Sequence, residues 1–236
     1  MKKHISLALG IFVSGLLLWL AFRQIDFSAF LSALYSVKLG WVGLIIVMLA
    51  FNQAARGLRW YLLLPKTPQS NPLLVTKVEV AGFALNNILP LRLGEIGRAT
   101  IVSGLIGVPL FTCLATILVE RLLDLATMLI MFILSVQLGR SVEALYGYGP
   151  AAWAALAGLA VFLAALIFID KLVLHSSACA SVFEKYPRFG RFAKQVALGA
   201  EELRSPGKAA AILGLGIFVW LLDASGYYVM AKAFSF

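Results

Sequence analysis

The sequence predicts an all-α protein, a polytopic bundle of membrane-spanning helices, and three observations predict it. Of its 236 residues 61% are hydrophobic and 13% charged, with a mean hydropathy of +0.94. A soluble domain carries about 45–50% apolar residues and about 25% charged ones. Long charge-free runs recur, and about 20 apolar residues suffice to cross a hydrocarbon core. The basic residues are also spread unevenly between those runs, as the positive-inside rule requires of an inserted protein. The net charge of +9 is therefore read through its position along the chain, and no nucleic-acid partner is expected. Two cysteines, Cys113 and Cys179, cannot build a disulfide framework.

The spans follow in order. Residues 5–22 carry no charge behind Lys2 and Lys3 and run into Leu-Ala-Phe-Arg. A secretory h-region is shorter, about 7–15 residues, and ends in small residues, so a retained first helix with a cytoplasmic N-terminus is expected. Residues 39–59 form a second span, ending at Arg59-Trp60 on an interface. Residues 111–138, 150–170 and 209–231 complete five full spans.

Residues 75–108 are different. Lys77, Glu79, Asn86, Asn87, Pro90, Arg92, Glu95 and Arg98 stand among apolar residues there. Either two ordinary spans or two half-helices that enter and return would account for them. Irregular backbone at membrane depth survives only against protein or a water-filled cavity, and the Asn-Asn-Ile-Leu-Pro turn favours the re-entrant pair. With that layout fifteen of the 20 Lys and Arg residues fall in cytoplasmic segments and four outside. In the loop after residue 170, residues 187–204 place Phe189, Phe192, Val196, Ala200 and Leu203 at helical spacing, with Arg188, Arg191 and Lys194 on the other side. This is a helix lying in the cytoplasmic interface or a connector packed on the protein.

Three clusters could carry chemistry. Glu120, Arg121 and Asp124 lie inside the span 111–138, and three such charges facing lipid would cost roughly 8–10 kcal/mol. They share one side of the helix, and the alternatives are a self-neutralising packing cluster or a polar wall along a substrate path. In the run from Asn86 and Asn87 to Arg98, Pro90 stops one helix while Gly94 and Gly97 allow close backbone approach. Arg92 and Arg98 offer planar donor forks suited to phosphate, and Glu95 is placed to hold either of them. Arg56 and Arg59, three residues apart, are explained by interface anchoring beside a Trp belt, with head-group binding as the sharper alternative. The two histidines, His4 and His175, sit outside these clusters, no Cys/His/carboxylate spacing suggests a metal, no phosphate-binding glycine loop is present, and no cofactor is expected.

These motifs carry a resemblance. Arg-x-x-Arg-Trp at 56–60, Asn-Asn-Ile-Leu-Pro-Leu-Arg-Leu-Gly-Glu-Ile-Gly-Arg at 86–98 and Val-Glu-Arg-Leu-Leu-Asp at 119–124 resemble the flippase-like transmembrane domain of lysylphosphatidylglycerol synthases and its stand-alone integral membrane relatives. The resemblance implies a helical bundle with re-entrant half-helices in a bacterial inner membrane. It also implies movement of a lipid between leaflets, aminoacylated phosphatidylglycerol in some members and isoprenoid- or hopanoid-linked cargo in others. The lysyl-transferring domain has no counterpart here, so an enzyme is not expected. The chain stops four residues after Lys232, where members continue into a Pro-Gly-rich, Glu-containing motif, which implies a short or truncated member. Expected partners are a membrane lipid with a phosphate-bearing head group, a lipid-modifying synthase or glycosyltransferase, and a second copy of the chain. The competing readings are a membrane enzyme, with an acid/base pair drawn from Glu79, Glu95, Glu120 and Asp124, and a non-catalytic partner of such an enzyme.

Overall fold

The computed structural model describes residues 26–138, 147–168 and 187–234, with residues 10, 12, 14–20, 22 and 23 before them. Among the described residues every regular element is helical. Helix α1 spans Phe27–Tyr35, α2 Leu39–Leu63, α3 Pro72–Ile88, α4 Leu93–Ile106, α5 Leu110–Leu138, α6 Gly149–Ile167, α7 Pro187–Ala200 and α8 Pro206–Ala233. Short 3-10 turns at Pro90–Arg92 and Glu201–Arg204 complete the set. Residues 14–20 are helical, as the expected first span requires, but residues 5–9, 11, 13 and 21 of that span lie outside the described residues, as do His4, His175 and Cys179. The nine-residue α1 was not anticipated; Asp26 begins it by accepting from the Ser28 backbone N–H at 2.9 Å and the Ser28 hydroxyl at 2.7 Å.

Among the described residues three helices, α2, α6 and α8, are long and apolar enough to cross a membrane. The 29-residue α5 is longer still but holds three charges. Leu49, Val161, Phe162, Ile217 and Leu221 are exposed, a pattern that would drive association in water and that a bilayer accepts as lipid-facing surface.

The chain divides into two compact units, residues 1–46 with 226–236, and residues 47–225. In the first, the Lys38 backbone N–H donates to the Ala233 carbonyl at 3.3 Å. In the second, α3 and α4 pack as an antiparallel hairpin, α4, α6 and α7 pack on α5, and α7 also meets α6. Lipid supplies no hydrophobic drive between helices, so close approach depends on small residues. A Cβ on Gly57 would stand 2.5 Å from the Thr76 Cα, and one on Gly199 2.6 Å from the Ala115 Cβ. The last turns of α7 thus lie against α5, with Ala197 and Ala200 buried. Arg204 donates from Nε and Nη2 to the Ile167 carbonyl at 2.9 and 2.7 Å, satisfying the end of α6. Trp60, Val75, Val78, Ala99, Val102 and Ile106 share one apolar cluster with Cys113 and Ile117. Leu63, Val119, Leu123, Ala200 and Ile212 form a second.

Candidate functional site

The hairpin is shaped by its own sequence. Asn71 caps α3, its side-chain oxygen accepting from the Leu73 N–H at 2.8 Å, with Pro72 at the first helical position. Pro90 ends it: the residue before a proline is pushed out of the helical region, and Leu89 is extended at φ −94°, ψ 140°. Leu91 and Arg92 then take left-handed conformations, φ 58° and 55°. Each costs an L-residue about 1–2 kcal/mol, and this strain sits at the tip of the hairpin. From there α4 begins, with Glu95 in its first turn, where a carboxylate complements the positive end of the helix dipole. Close packing follows from Gly94, where a Cβ would meet the Gly82 carbonyl and stand 2.6 Å from Asn86 Oδ1. Gly97 is less demanding, with a Cβ there 3.2 Å from Leu85 Cδ1.

A cavity of about 330 Å³ opens beside this turn. The turn and α4 supply Arg92, Glu95 and Arg98; α3 supplies Glu79, Phe83, Asn86 and Asn87. Arg56 of α2 and Arg121 of α5 complete the wall. Asn87 Nδ2 donates to its own helix at the Phe83 carbonyl, 3.1 Å, whereas the buried Asn86 Oδ1 has no hydrogen-bond donor.

Behind the wall lies a network of buried ion pairs. Glu120, fully buried, accepts from Arg59 at 2.9 Å, Arg98 at 2.9 Å and Arg121 at 3.2 Å. Asp124 accepts from Arg59 at 2.7 Å and Arg121 at 2.9 Å, and Trp220 Nε1 reaches it at 3.4 Å. Arg98 also pairs with Glu79, and its guanidinium stacks 4.6 Å from the centroid of the Trp60 ring. The Trp60 Nε1 donates to Thr116 Oγ1 at 3.0 Å. A second knot joins α2 to α8: Arg56 Nη2 meets Asp223 at 2.7 Å, and Arg56 Nε donates to Asn52 Oδ1 at 2.8 Å. Asn52 Nδ2 in turn donates to Asp223 at 2.9 Å and to the Val219 carbonyl at 3.1 Å.

The structure therefore brings the predicted residues together but distributes their partners differently. Glu95 pairs with Arg121 at 3.2 Å rather than with Arg92 or Arg98. Arg98 is 2% exposed and Arg59 fully buried, so both guanidiniums are engaged by carboxylates. Interface anchoring fails for Arg59 and Trp60, because both point into the bundle with no exposed surface. Arg92 alone of the cavity arginines is exposed, and it has no ion-pair partner among the described residues. Asp223, Trp220 and Asn52 were not among the predicted site residues. Asp223 carried a usable signal: it is a lone carboxylate inside the apolar run that became α8, and an ionisable residue there is functional by default.

The family model for the lysylphosphatidylglycerol synthase TM region matches residues 7–236. The chain belongs to this family. Membership agrees with the resemblance carried by the three motifs, and with the apolar helices it makes the chain an integral membrane protein with a lipid-related role. No curated protein and no solved structure matches the chain.

Proposed function

We propose that this chain moves a lipid with an anionic, phosphate-bearing head group between the two leaflets of a bacterial inner membrane. The observation that carries the reading is the cavity beside the α3–α4 turn: it is lined by four arginines against two glutamates, and one of those arginines is unpaired. Arg92 stands at the start of α4, where the N-terminal amides and the dipole also favour an anion. Its planar fork suits a phosphate.

The hairpin supports a membrane passage for the head group. At about 1.5 Å per residue, the 17 residues of α3 and 14 of α4 reach roughly 26 and 21 Å, short of the roughly 30 Å hydrocarbon core. In this reading both half-helices enter from the cytoplasmic side and return to it, so Arg92 meets the head group part-way across. The ion-pair network walls the path without exposing charge to lipid. Glu79, Glu95, Glu120 and Asp124 each hold an arginine, which favours a polar wall over a free acid/base pair.

The test is transbilayer exchange in proteoliposomes containing head-group-labelled phosphatidylglycerol, read with an outer-leaflet quencher. Wild type is expected to exchange the lipid and Arg92→Ala to lose most of that rate at equal incorporation. Equal rates in the two would remove Arg92 from the path, and wild-type exchange no faster than empty vesicles would contradict the function.

A further inference from the structure

Arg56 is the cavity arginine whose partner lies outside the cavity. It lines the cavity, yet its Nε and Nη2 turn to Asn52 and Asp223. Its Nη1 makes no hydrogen bond or ion pair among the described residues. Asp223 is also the most exposed carboxylate of the paired set. Its side chain is 35% exposed, against 21% for Glu95, 8% for Asp124, 6% for Glu79 and none for Glu120.

That ranking decides which ion pair can open. Removing the only partner of a buried charge leaves it uncompensated and is strongly unfavourable, whereas a charge that keeps a second hydrogen-bond donor loses less. Arg98 cannot turn to an incoming anion without leaving the buried Glu79 unpaired, and Arg121 would have to give up pairs with three carboxylates, Glu95, Glu120 and Asp124. Arg56 can, because Asp223 keeps Asn52 as a donor at 2.9 Å and is the least buried of these carboxylates. Asn52 fixes both ends of the pair, since it also binds the Val219 carbonyl, so Asp223 stays in place when Arg56 leaves.

We infer that Asp223 is a releasable counter-anion for Arg56. A head-group phosphate entering the cavity takes Arg56 from Asp223, so that Arg56 joins Arg92 in holding the phosphate, and Asp223 sets how tightly the head group is held by competing for the same guanidinium. Asp223 is thus a positioning residue, acting on the lipid through Arg56. The inference rests on the anionic head-group reading and adds a partner exchange to it.

The competition gives a signature that a structural role would not. Weakening Asp223 should tighten binding while slowing release. The experiment titrates the full chain in a zwitterionic detergent with phosphatidylglycerol, phosphatidylcholine or inorganic phosphate, and measures exchange in proteoliposomes alongside. Asp223→Asn, and Asp223→Ser as a second variant in case the first misfolds, are expected to bind phosphatidylglycerol about 5- to 10-fold tighter than wild type, equivalent to about 1–1.4 kcal/mol, and to exchange it more slowly. Adding Arg56→Ala should erase the gain. The same gain with inorganic phosphate assigns the exchange to the phosphate alone; a gain confined to the lipid assigns it to the esterified head group. Unchanged or weaker phosphatidylglycerol binding in both Asp223 variants, with Arg92→Ala still weakening it, overturns the inference and leaves the head-group reading standing. No preference of wild type for phosphatidylglycerol over phosphatidylcholine overturns both.

Discussion

Replacing Glu120 with glutamine should destabilise the bundle more than any other single isosteric change at the site. Glu120 has no exposed surface and is the shared acceptor of Arg59, Arg98 and Arg121, at 2.9, 2.9 and 3.2 Å. Glutamine keeps the shape, removes the charge and turns an amide N–H₂ towards donors that cannot accept. Breaking a buried ion pair by neutralising one partner costs about 3–5 kcal/mol. On the scale of soluble proteins of 150–250 residues, about 2–4 °C per kcal/mol, that lowers Tm on the order of 10 °C. A thiol-reactive dye reporting exposure of the buried Cys113, in a Cys179→Ser background and in detergent, gives the melting curve directly. Arg121→Gln is the internal control. Its side chain is 32% exposed, and Glu120 and Asp124 each keep an arginine without it, so its loss should be clearly smaller. A Glu120→Gln protein melting within about 2 °C of wild type would refute the reasoning, because the network would then not be an interdependent set of buried charges.

Three further outcomes follow from the same geometry. Arg92→Ala removes an exposed, unpaired side chain, so its Tm should stay within the range of surface changes, about ±0.5 kcal/mol, while exchange falls; a large loss of stability would mean that Arg92 has a structural partner. Gly94→Val forces a Cβ against the Gly82 carbonyl and Asn86 and should cost about 1–3 kcal/mol or more from overpacking, whereas a Cβ on Gly104 meets nothing within 4 Å, so Gly104→Ala should fold at least as well as wild type; comparing the two melting curves checks the hairpin packing. Cys113 should resist small thiol reagents in the folded protein and react on unfolding, and rapid modification of the native protein would contradict its place in the apolar cluster.

How much of this was legible in the sequence depends on whether a feature is local. The end of α3 was legible because Pro90 acts on its own neighbours, and the close approach at Gly94 because only glycine leaves the space. Glu120, Arg121 and Asp124 stood out because charge inside an apolar run demands a partner. The partners themselves were not legible. Arg59 meets Glu120 across 61 residues of chain and Arg56 meets Asp223 across 167, and no periodicity encodes such pairings. Arg59 at the end of an apolar run has the same local pattern whether it anchors at an interface or turns inward, and only the packing of α2 on its neighbours decides. Asp223 leaves the length and mean hydropathy of its span almost unchanged, so only the presence of a charge inside an apolar run marks it.

The claim that a head group travels through the cavity can be tested by blocking it. A protein with Cys113→Ala and Cys179→Ser, carrying Asn87→Cys at the cavity wall, is reconstituted and its phosphatidylglycerol exchange followed before and after a bulky thiol reagent. The account predicts that exchange persists before labelling and stops after it, while the same reagent leaves the cysteine-free protein unaffected. Full exchange with Asn87→Cys quantitatively labelled would contradict it, and would place the lipid's route elsewhere on the bundle.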